Sequence, residues 1–173
     1  MTWFVMRDLT RPNALSPAWK KLRETGFDVF TPMITRVVTK KGISVRTEMP
    51  VIHDLLFVNS TRDVLDPVVD SIATLQYRFV KGGSYRQAME VPDREMDNFI
   101  RAVGSVENPR YFSPAEITQS MIGRRIRVIG GPLNGLEGSL LSIKGLRKRC
   151  LLIGVADMIT AAVEVSPDFI EFI

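Results

Sequence analysis

Residues 123–140 read GRRIRVIGGPLNGLEGSL, and their pattern indicates how the C-terminal part of the chain folds. Its first half alternates apolar residues with arginines, which is the period of two expected for a strand with one buried face. The pair Gly131-Pro132 predicts a turn, and Gly135 and Gly138 permit positive φ or close backbone approach where two strands meet. The stretch therefore predicts a glycine-rich β-hairpin. It contains no Gly-Lys-Ser/Thr, so it does not predict a phosphate-binding loop.

The rest of the C-terminal part continues with short strands. Including the two of the hairpin, five strands are predicted at residues 125–129, 139–143, 150–155, 161–165 and 169–173. Strands at such regular spacing, with turn residues between them, favour a small closed β-barrel.

The N-terminal part mixes strands with helices. Strands are predicted at residues 3–7, 27–31, 33–39, 43–49, 55–59 and 77–81, with Lys-Lys-Gly at 40–42 as a hairpin tip. Helices are predicted at 17–25, with Ser16 as the cap and Pro17 as the first helical residue, then after Asp66-Pro67, and at 92–103, where apolar residues recur at helical spacing. Turn residues then fill 104–120 and mark a boundary. An α+β chain of two domains follows.

Positive charge is concentrated near the N-terminus. The net charge is +4, but residues 1–46 hold nine Lys or Arg against three acids, whereas 47–120 hold seven against eleven. Such asymmetry indicates a basic face for nucleic acid. The alternative is solvated charge that happens to cluster.

Several classes of protein do not fit the composition. The single cysteine, Cys150, permits no internal disulfide, and with the single histidine, His53, it provides no ligand set for zinc or haem. No apolar run approaches the ~20 residues of a membrane-spanning helix, and the N-terminus does not resemble a secretory signal. His53 lacks a recognisable nucleophile, and the acids at 63, 66 and 70 fit helix capping better than metal binding. We expect a cytoplasmic protein that is not an enzyme and has no cofactor or metal.

The hairpin stretch resembles the KOW motif, an apolar strand followed by Gly-Pro-apolar-x-Gly-x-x-Gly. The matching positions are Gly131, Pro132, Gly135 and Gly138. KOW modules occur in ribosomal proteins and in transcription elongation factors of the NusG/RfaH family. The order of N-terminal segments, from Trp3-Phe4-Val5-Met6 to the Pro50–Val58 segment and the helix at 92–103, resembles the NusG N-terminal domain. The ending, residues 160–171, is most similar to the UpxY-type branch, the antiterminators of capsular polysaccharide operons.

This resemblance implies the domain plan and the architecture. Residues 1–104 would form a NusG N-terminal-like α/β sandwich, with an antiparallel sheet and flanking helices. Residues 105–120 would be a flexible linker. Residues 121–173 would form a KOW domain, a five-stranded SH3-like β-barrel.

The resemblance also implies that the chain binds elongating RNA polymerase at its clamp helices and suppresses pausing or termination. An apolar patch at Ile52, Leu55 and Phe57 would make this contact, with filling of the core as the alternative for Phe57. Two positions depart from the family pattern, because His53 stands where proline is usual and Leu55 where an aromatic residue is usual. Arg7, Arg11, Lys20 and Lys21 would touch the non-template DNA strand, and Trp19 would stack on a base or pack.

The KOW domain of the family reaches the termination factor Rho or a ribosomal protein through one loop. The corresponding residues, 154–160, lack the expected phenylalanine and arginine, which disfavours Rho. Lys144, Arg147, Lys148 and Arg149 are candidates for contact with nascent RNA, or a solvated tip. The leading hypothesis is a monomeric antitermination factor for polysaccharide-synthesis operons. The alternatives are a general NusG-type elongation factor and a KOW-containing ribosomal or RNA-binding protein.

Overall fold

The structure, a computed structural model, describes residues 1–12 and 14–173. The chain divides into two compact units, Met1–Pro92 and Asp93–Ile173. In chain order the first unit contains β1 (Thr2–Asp8), α1 (Ala18–Glu24), β2 (Asp28–Phe30), β3 (Met33–Lys40), β4 (Ile43–Pro50), β5 (Leu55–Ser60), α2 (Arg62–Ser71), β6 (Leu75–Tyr77) and β7 (Glu90–Val91). The second contains α3 (Asp93–Gly104), β8 (Arg110–Phe112), β9 (Ile122–Val128), β10 (Glu137–Leu141), β11 (Cys150–Val155), β12 (Ile159–Glu164) and β13 (Ile170–Phe172).

Strand β1 is the centre of the first unit. It pairs antiparallel with β5 from Thr2↔Ser60 to Arg7↔Leu55, and with β6 and β7 on its other edge. With β2 beside β5, the strand order is β2-β5-β1-β6. One face of the sheet carries Phe4 and Met6, which pack in a core with Leu22 of α1 and Leu65 of α2. Both helices therefore cover the face formed by the even-numbered residues of β1.

Helix α1 is capped by a side chain from β1. The buried Asp8 carboxylate accepts a hydrogen bond from the Ala18 amide at 2.8 Å, from the Thr10 amide at 2.9 Å, and from the Thr10 hydroxyl. The sequence predicted Ser16 as the cap, with Pro17 as the first helical residue. Instead Pro17 is the N-cap residue, and its hydrocarbon ring cannot accept a hydrogen bond. The first amide of the helix, that of Ala18, is satisfied by Asp8.

Helix α2 begins earlier than predicted, at Arg62, so that Pro67 lies inside it rather than in its first turn. An interior proline removes one hydrogen bond of the helix. Two contacts hold α2 in place nevertheless. Leu65 is fully buried, and the Asp66 carboxylate accepts hydrogen bonds from the Tyr77 hydroxyl at 2.7 Å and from Arg62 Nε at 2.8 Å. Tertiary packing therefore overrides the proline signal.

The hairpin predicted at the Lys-Lys-Gly sequence is confirmed. Strands β3 and β4 pair over their whole length and form a two-stranded sheet that shares no ladder with the other sheets of the described chain. Its tip is a two-residue loop in which Lys41 and Gly42 have φ of 51° and 77°. Positive φ at both positions is typical of the type I′ turn, whose twist suits a tight hairpin.

All five strands predicted for the C-terminal part are present as β9 to β13. They lie in one antiparallel sheet of six strands, in the order β13-β9-β10-β11-β12-β8. The sixth strand, β8, falls within 105–120, where we expected only a linker. It pairs with β12 through Tyr111↔Ala161 because Phe112 is buried against this sheet. Closure of the five strands into a KOW barrel stays a prediction.

Helix α3 was predicted within the first domain, but it groups with the second compact unit and packs against β11 and β12. The Glu95 carboxylate accepts a hydrogen bond of 2.7 Å from the amide of Ala156, in the turn between those strands. The boundaries 1–104, 105–120 and 121–173 stay a prediction for the functional domains.

Two glycines of the KOW-like stretch meet different constraints. Gly131 has φ of +67°, a conformation that other residues rarely adopt. At Gly138 the limit is space, because an added Cβ would lie 2.4 Å from the Leu152 carbonyl oxygen and 2.8 Å from Cδ1 of Leu151. Strands β10 and β11 therefore approach each other only because residue 138 has no side chain.

We predict that Gly138→Ala destabilises the second unit by about 1–3 kcal/mol, the usual cost of forcing atoms into a packed core. Gly104→Ala is the matched control, since nothing lies within 4 Å of its added Cβ. The measurement is urea unfolding of both variants, followed by a probe of the second unit. Equal stability of the two variants would contradict the close approach of β10 and β11.

We predict that Asp8→Ala lowers the free energy of unfolding by about 1–3 kcal/mol, because the buried amide of Ala18 loses its acceptor. Glu24→Ala removes an exposed carboxylate from α1, and it should change the free energy of unfolding by less than about 0.5 kcal/mol. Urea unfolding measures both. A loss no larger for Asp8→Ala than for Glu24→Ala would show that Asp8 does not cap α1.

Candidate functional site

The turn before β5, residues 51–54, is held by backbone hydrogen bonds from several sides. The Val51 amide donates to the Pro32 carbonyl at 2.8 Å, and the Leu55 amide donates to the Ile52 carbonyl at 3.2 Å. The Asp54 carbonyl accepts from the Asp8 amide at 3.0 Å. The turn is therefore a fixed platform at the base of the β3–β4 hairpin.

His53 fastens this turn to the loop after β1. Its Nε2 contacts the Thr10 carbonyl oxygen. Because a carbonyl only accepts, Nε2 must carry the hydrogen in this contact. This bond gives His53 a positioning role at the place where the family pattern has proline.

Asp54 carries two ion pairs. Its carboxylate lies 3.2 Å from an Arg78 amine and 3.6 Å from Arg7 Nε. Burial lowers the pKa of the Arg78 guanidinium, and the charge of Asp54 opposes this shift. Arg78 Nε is buried without a hydrogen-bond partner in the part of the chain described. Asp54 therefore holds a largely buried cation and partly neutralises Arg7.

The three predicted polymerase-contact residues do not share one surface. Ile52 lies on the turn and is half-buried, whereas Leu55 and Phe57 are 1% and 0% exposed. The Phe57 ring packs 6.4 Å from that of Phe30, between centroids. In this structure Leu55 and Phe57 support the sheet from within, and a direct contact role for them stays a prediction.

Sequence reasoning missed an apolar surface on the neighbouring hairpin. The register of β3 with β4 places five apolar residues on one face, which we call the hairpin face: Ile34, Val38, Ile43, Val45 and Met49. Ile43 is 66% exposed and Val45 is 41% exposed. The opposite face is mostly polar, with Val37 as its exposed apolar residue. The signal was available, because the alternation within both strands predicts which residues share a face.

The four predicted DNA-contact residues are all exposed, but they divide among three places: β1, α1 and the loop after β1. Arg7 is an odd-numbered residue of β1 and pairs with Leu55. Because the helices cover the even-numbered face, Arg7 lies on the other face of the sheet. Lys20 and Lys21 lie on α1, which covers the other face of the sheet. Arg11 follows β1 in an exposed loop. The four side chains therefore do not form one patch through any contact between them in the described structure.

Trp19 lies beside Arg23, a cation of the same helix, α1. The Arg23 guanidinium carbon lies 5.1 Å from the ring centroid, within the range of a cation–π contact. The ring is half-buried and packs at the edge of the first core. Both roles expected for Trp19, packing and stacking, are compatible with this position.

The described residues offer little for metal binding or thiol chemistry. No three His, Cys, Asp or Glu side chains of the described residues are grouped so that they could hold a metal ion. Burial raises the pKa of the Cys150 thiol, which disfavours the reactive thiolate. The described helices include none that is long and apolar enough to cross a membrane.

Comparison with known proteins bears on identity. Residues 1–100 match a family model described as NusG, transcription termination factor nusG. No match was found among curated proteins. A solved structure titled "Domain interaction in Thermotoga maritima NusG" is 17% identical, with 99% of this chain and 97% of that chain covered and a TM-score of 0.45.

The family model spans more than half of the 173 residues and the whole of the first compact unit. Proteins of this family act in transcription elongation and termination, and they bind RNA polymerase. The chain belongs to the NusG family.

Proposed function

We propose that this chain binds elongating RNA polymerase at the clamp helices through the hairpin face and the adjoining turn at Ile52. The observation that carries the proposal is the exposed apolar hairpin face, which stands on a turn fixed by His53 and Asp54. A docking site needs apolar anchors that become dry on contact. Ile43 and Val45 meet this requirement, because they are exposed before binding.

A pair of helices is a suitable occupant for this surface. Helices present apolar residues at spacings of three and four, which fit the side chains of a twisted β-ribbon or groove. Arg36 and Lys40 alternate with Ile34 and Val38 along β3, at every second residue. These two cations therefore lie on the same side of the hairpin as the hairpin face. They favour a partner with acidic residues beside its apolar stripe.

Leu55 and Phe57 have an indirect role in this proposal. Both are buried in β5, directly after the turn that carries Ile52. Their packing fixes the strand, and the strand fixes the position of Ile52. Preorganisation of this kind lowers the entropy lost on binding.

Binding at the clamp would act on transcription by a population shift. A factor that has greater affinity for the closed, elongating form than for the paused form lowers the paused population by that difference. Suppression of pausing or termination follows without any chemical step by the factor. The non-template strand would lie near Lys20 and Lys21, where mobile cations supply affinity of low sequence specificity.

The operon class is the finer part of the proposal. We assign the chain to antitermination on polysaccharide-synthesis operons, because its ending is most similar to the UpxY-type branch. Residues 154–160 also lack the phenylalanine and arginine expected for contact with Rho. The Ala156 amide in this loop is already bonded to Glu95. A general NusG-type elongation role is the alternative. A gene located outside polysaccharide operons would favour that role.

We predict that Ile43→Glu weakens binding of core RNA polymerase by more than about tenfold, since a charge replaces an apolar anchor. Val37→Glu is the matched control. It changes a residue of similar exposure, 67% against 66%, on the opposite face of the same hairpin. Pull-down or biolayer interferometry with purified core polymerase measures both variants.

Ile52→Glu should weaken polymerase binding as well, provided that circular dichroism shows the variant to be folded. Equal affinities of Ile43→Glu, Val37→Glu and the unchanged chain would exclude the hairpin face. Loss of binding in both hairpin variants would show that the hairpin acts only through its stability.

We predict that Lys20→Ala with Lys21→Ala reduces the retention of the factor on a polymerase complex with an exposed non-template strand, and makes the retention less dependent on salt. Each lost phosphate contact lowers the slope of log K against log salt by about 0.7 for a single strand. Lys81→Ala with Arg86→Ala removes the same charge from the connection between β6 and β7. Unchanged retention and pausing for the Lys20 and Lys21 variant would exclude these cations.

A further inference from the structure

The second unit contains a basic cleft that is distinct from the surfaces described above. It lies where β9, β10 and the loop after β10 meet, and its volume is about 470 Å³. Four cations line it: Arg124, Arg147, Lys148 and Arg149. No acid lines it within the described part of the chain. The cleft is therefore a concave region of strongly positive potential, where field lines are focused by the low-dielectric wall.

Most of this charge is available to a ligand. Lys148 Nζ lies 3.0 Å from the Glu164 carboxylate, so this cation is partly neutralised. The side chains of Arg147 and Arg149 have no ion pair or hydrogen-bond partner in the described structure. Arg147 and Arg149 are exposed, and both can present planar donors to a phosphate.

An aromatic ring forms one wall of the cleft. Phe172 in β13 is 48% exposed, and the Arg124 guanidinium carbon lies 4.0 Å from its ring centroid. A cation stacked on an exposed ring makes an extended flat surface beside the positive charges. Stacking surfaces beside a basic groove are the combination that single-stranded nucleic acids require, because the backbone needs cations and the bases need flat partners.

We propose that this cleft binds the phosphodiester backbone of single-stranded nucleic acid, with Arg147 and Arg149 on phosphates and the Arg124–Phe172 stack against a base. Its concave shape suits a strand with splayed bases. A duplex is instead entered by protruding helices or ribbons. An acidic protein segment would be attracted by the charge but would not require Phe172.

The inference rests on the proposed function and deepens it by naming a ligand for the second unit. In a transcribing complex that strand would be nascent RNA or displaced DNA, which share the backbone chemistry. The binding test contains no polymerase, so that the cleft and the polymerase contact can fail separately.

The test measures fluorescence anisotropy of labelled oligo(U) and oligo(dT) of about ten nucleotides. It uses the full chain over a series of salt concentrations. Arg147→Ala with Arg149→Ala should weaken binding by about tenfold or more and lower the salt slope by about 1.4. Lys81→Ala with Arg86→Ala, which loses the same charge from the first unit, should bind like the unchanged chain. Phe172→Leu should weaken binding about fivefold or more without changing the salt slope.

The relative affinity for oligo(U) and oligo(dT) identifies whether the bound strand is RNA or DNA, and preference for either supports binding of a single strand in the cleft. The proposal would be overturned by unchanged affinity of the Arg147 and Arg149 variant, by equal losses in the control variant, or by tighter binding of a duplex of the same length. Retention of polymerase binding by the cleft variants would show that the polymerase contact is independent. Binding of an acidic peptide in place of the oligonucleotides, insensitive to Phe172→Leu, would also overturn it.

Discussion

The burial of strand β1 on both faces is the constraint on which the first unit depends. Trp3, Phe4, Val5 and Met6 are all nearly inaccessible, so consecutive residues serve opposite faces of the sheet. The even-numbered residues of β1 pack against α1 and α2. Leu55 and Phe57 of β5 pair with the odd-numbered Arg7 and Val5, and both are buried. Asp8, at the end of the strand, then caps α1 and receives the turn at Asp54. A shift of one residue in β1 would move Phe4 and Met6 from the face that α1 and α2 cover to the opposite face of the sheet.

This constraint separates support from contact in the candidate polymerase site. The residues at the centre of the sheet are unavailable to a partner, and the residues available to one lie on the hairpin and the turn beside it. The hairpin shares no strand pairing with the main sheet in the described structure, so its face can be apolar without being covered by the core. A fixed base with a projecting apolar ribbon is a suitable arrangement for docking between two helices.

Local patterns predicted much of the fold. The β3–β4 hairpin and the strands β9 to β13 are confirmed, because period-two alternation and glycine-containing turns are encoded by neighbouring residues. The start of α2 was missed, since Pro67 suggested a first turn while the packing of Leu65 allowed an interior proline. Strand β8 was missed because its pairing partner, β12, lies far along the chain. The functional residues were harder to predict than the fold. The continuous apolar run at 55–58 indicated burial on both faces rather than an exposed contact patch. Arg124, Arg147 and Phe172 are distant in sequence, and only the strand topology brings them to one cleft.

Hydrogen exchange of the chain with and without core RNA polymerase maps the polymerase contact by its protection, without any substitution. The hairpin and turn, residues 33–54, should become the most strongly protected segment of the first unit, with the strongest effect near Ile43 and Val45. A complex in which the hairpin exchanges as fast as in the free chain, while protection lies on α1 and α2, would show that the hairpin is not the polymerase contact.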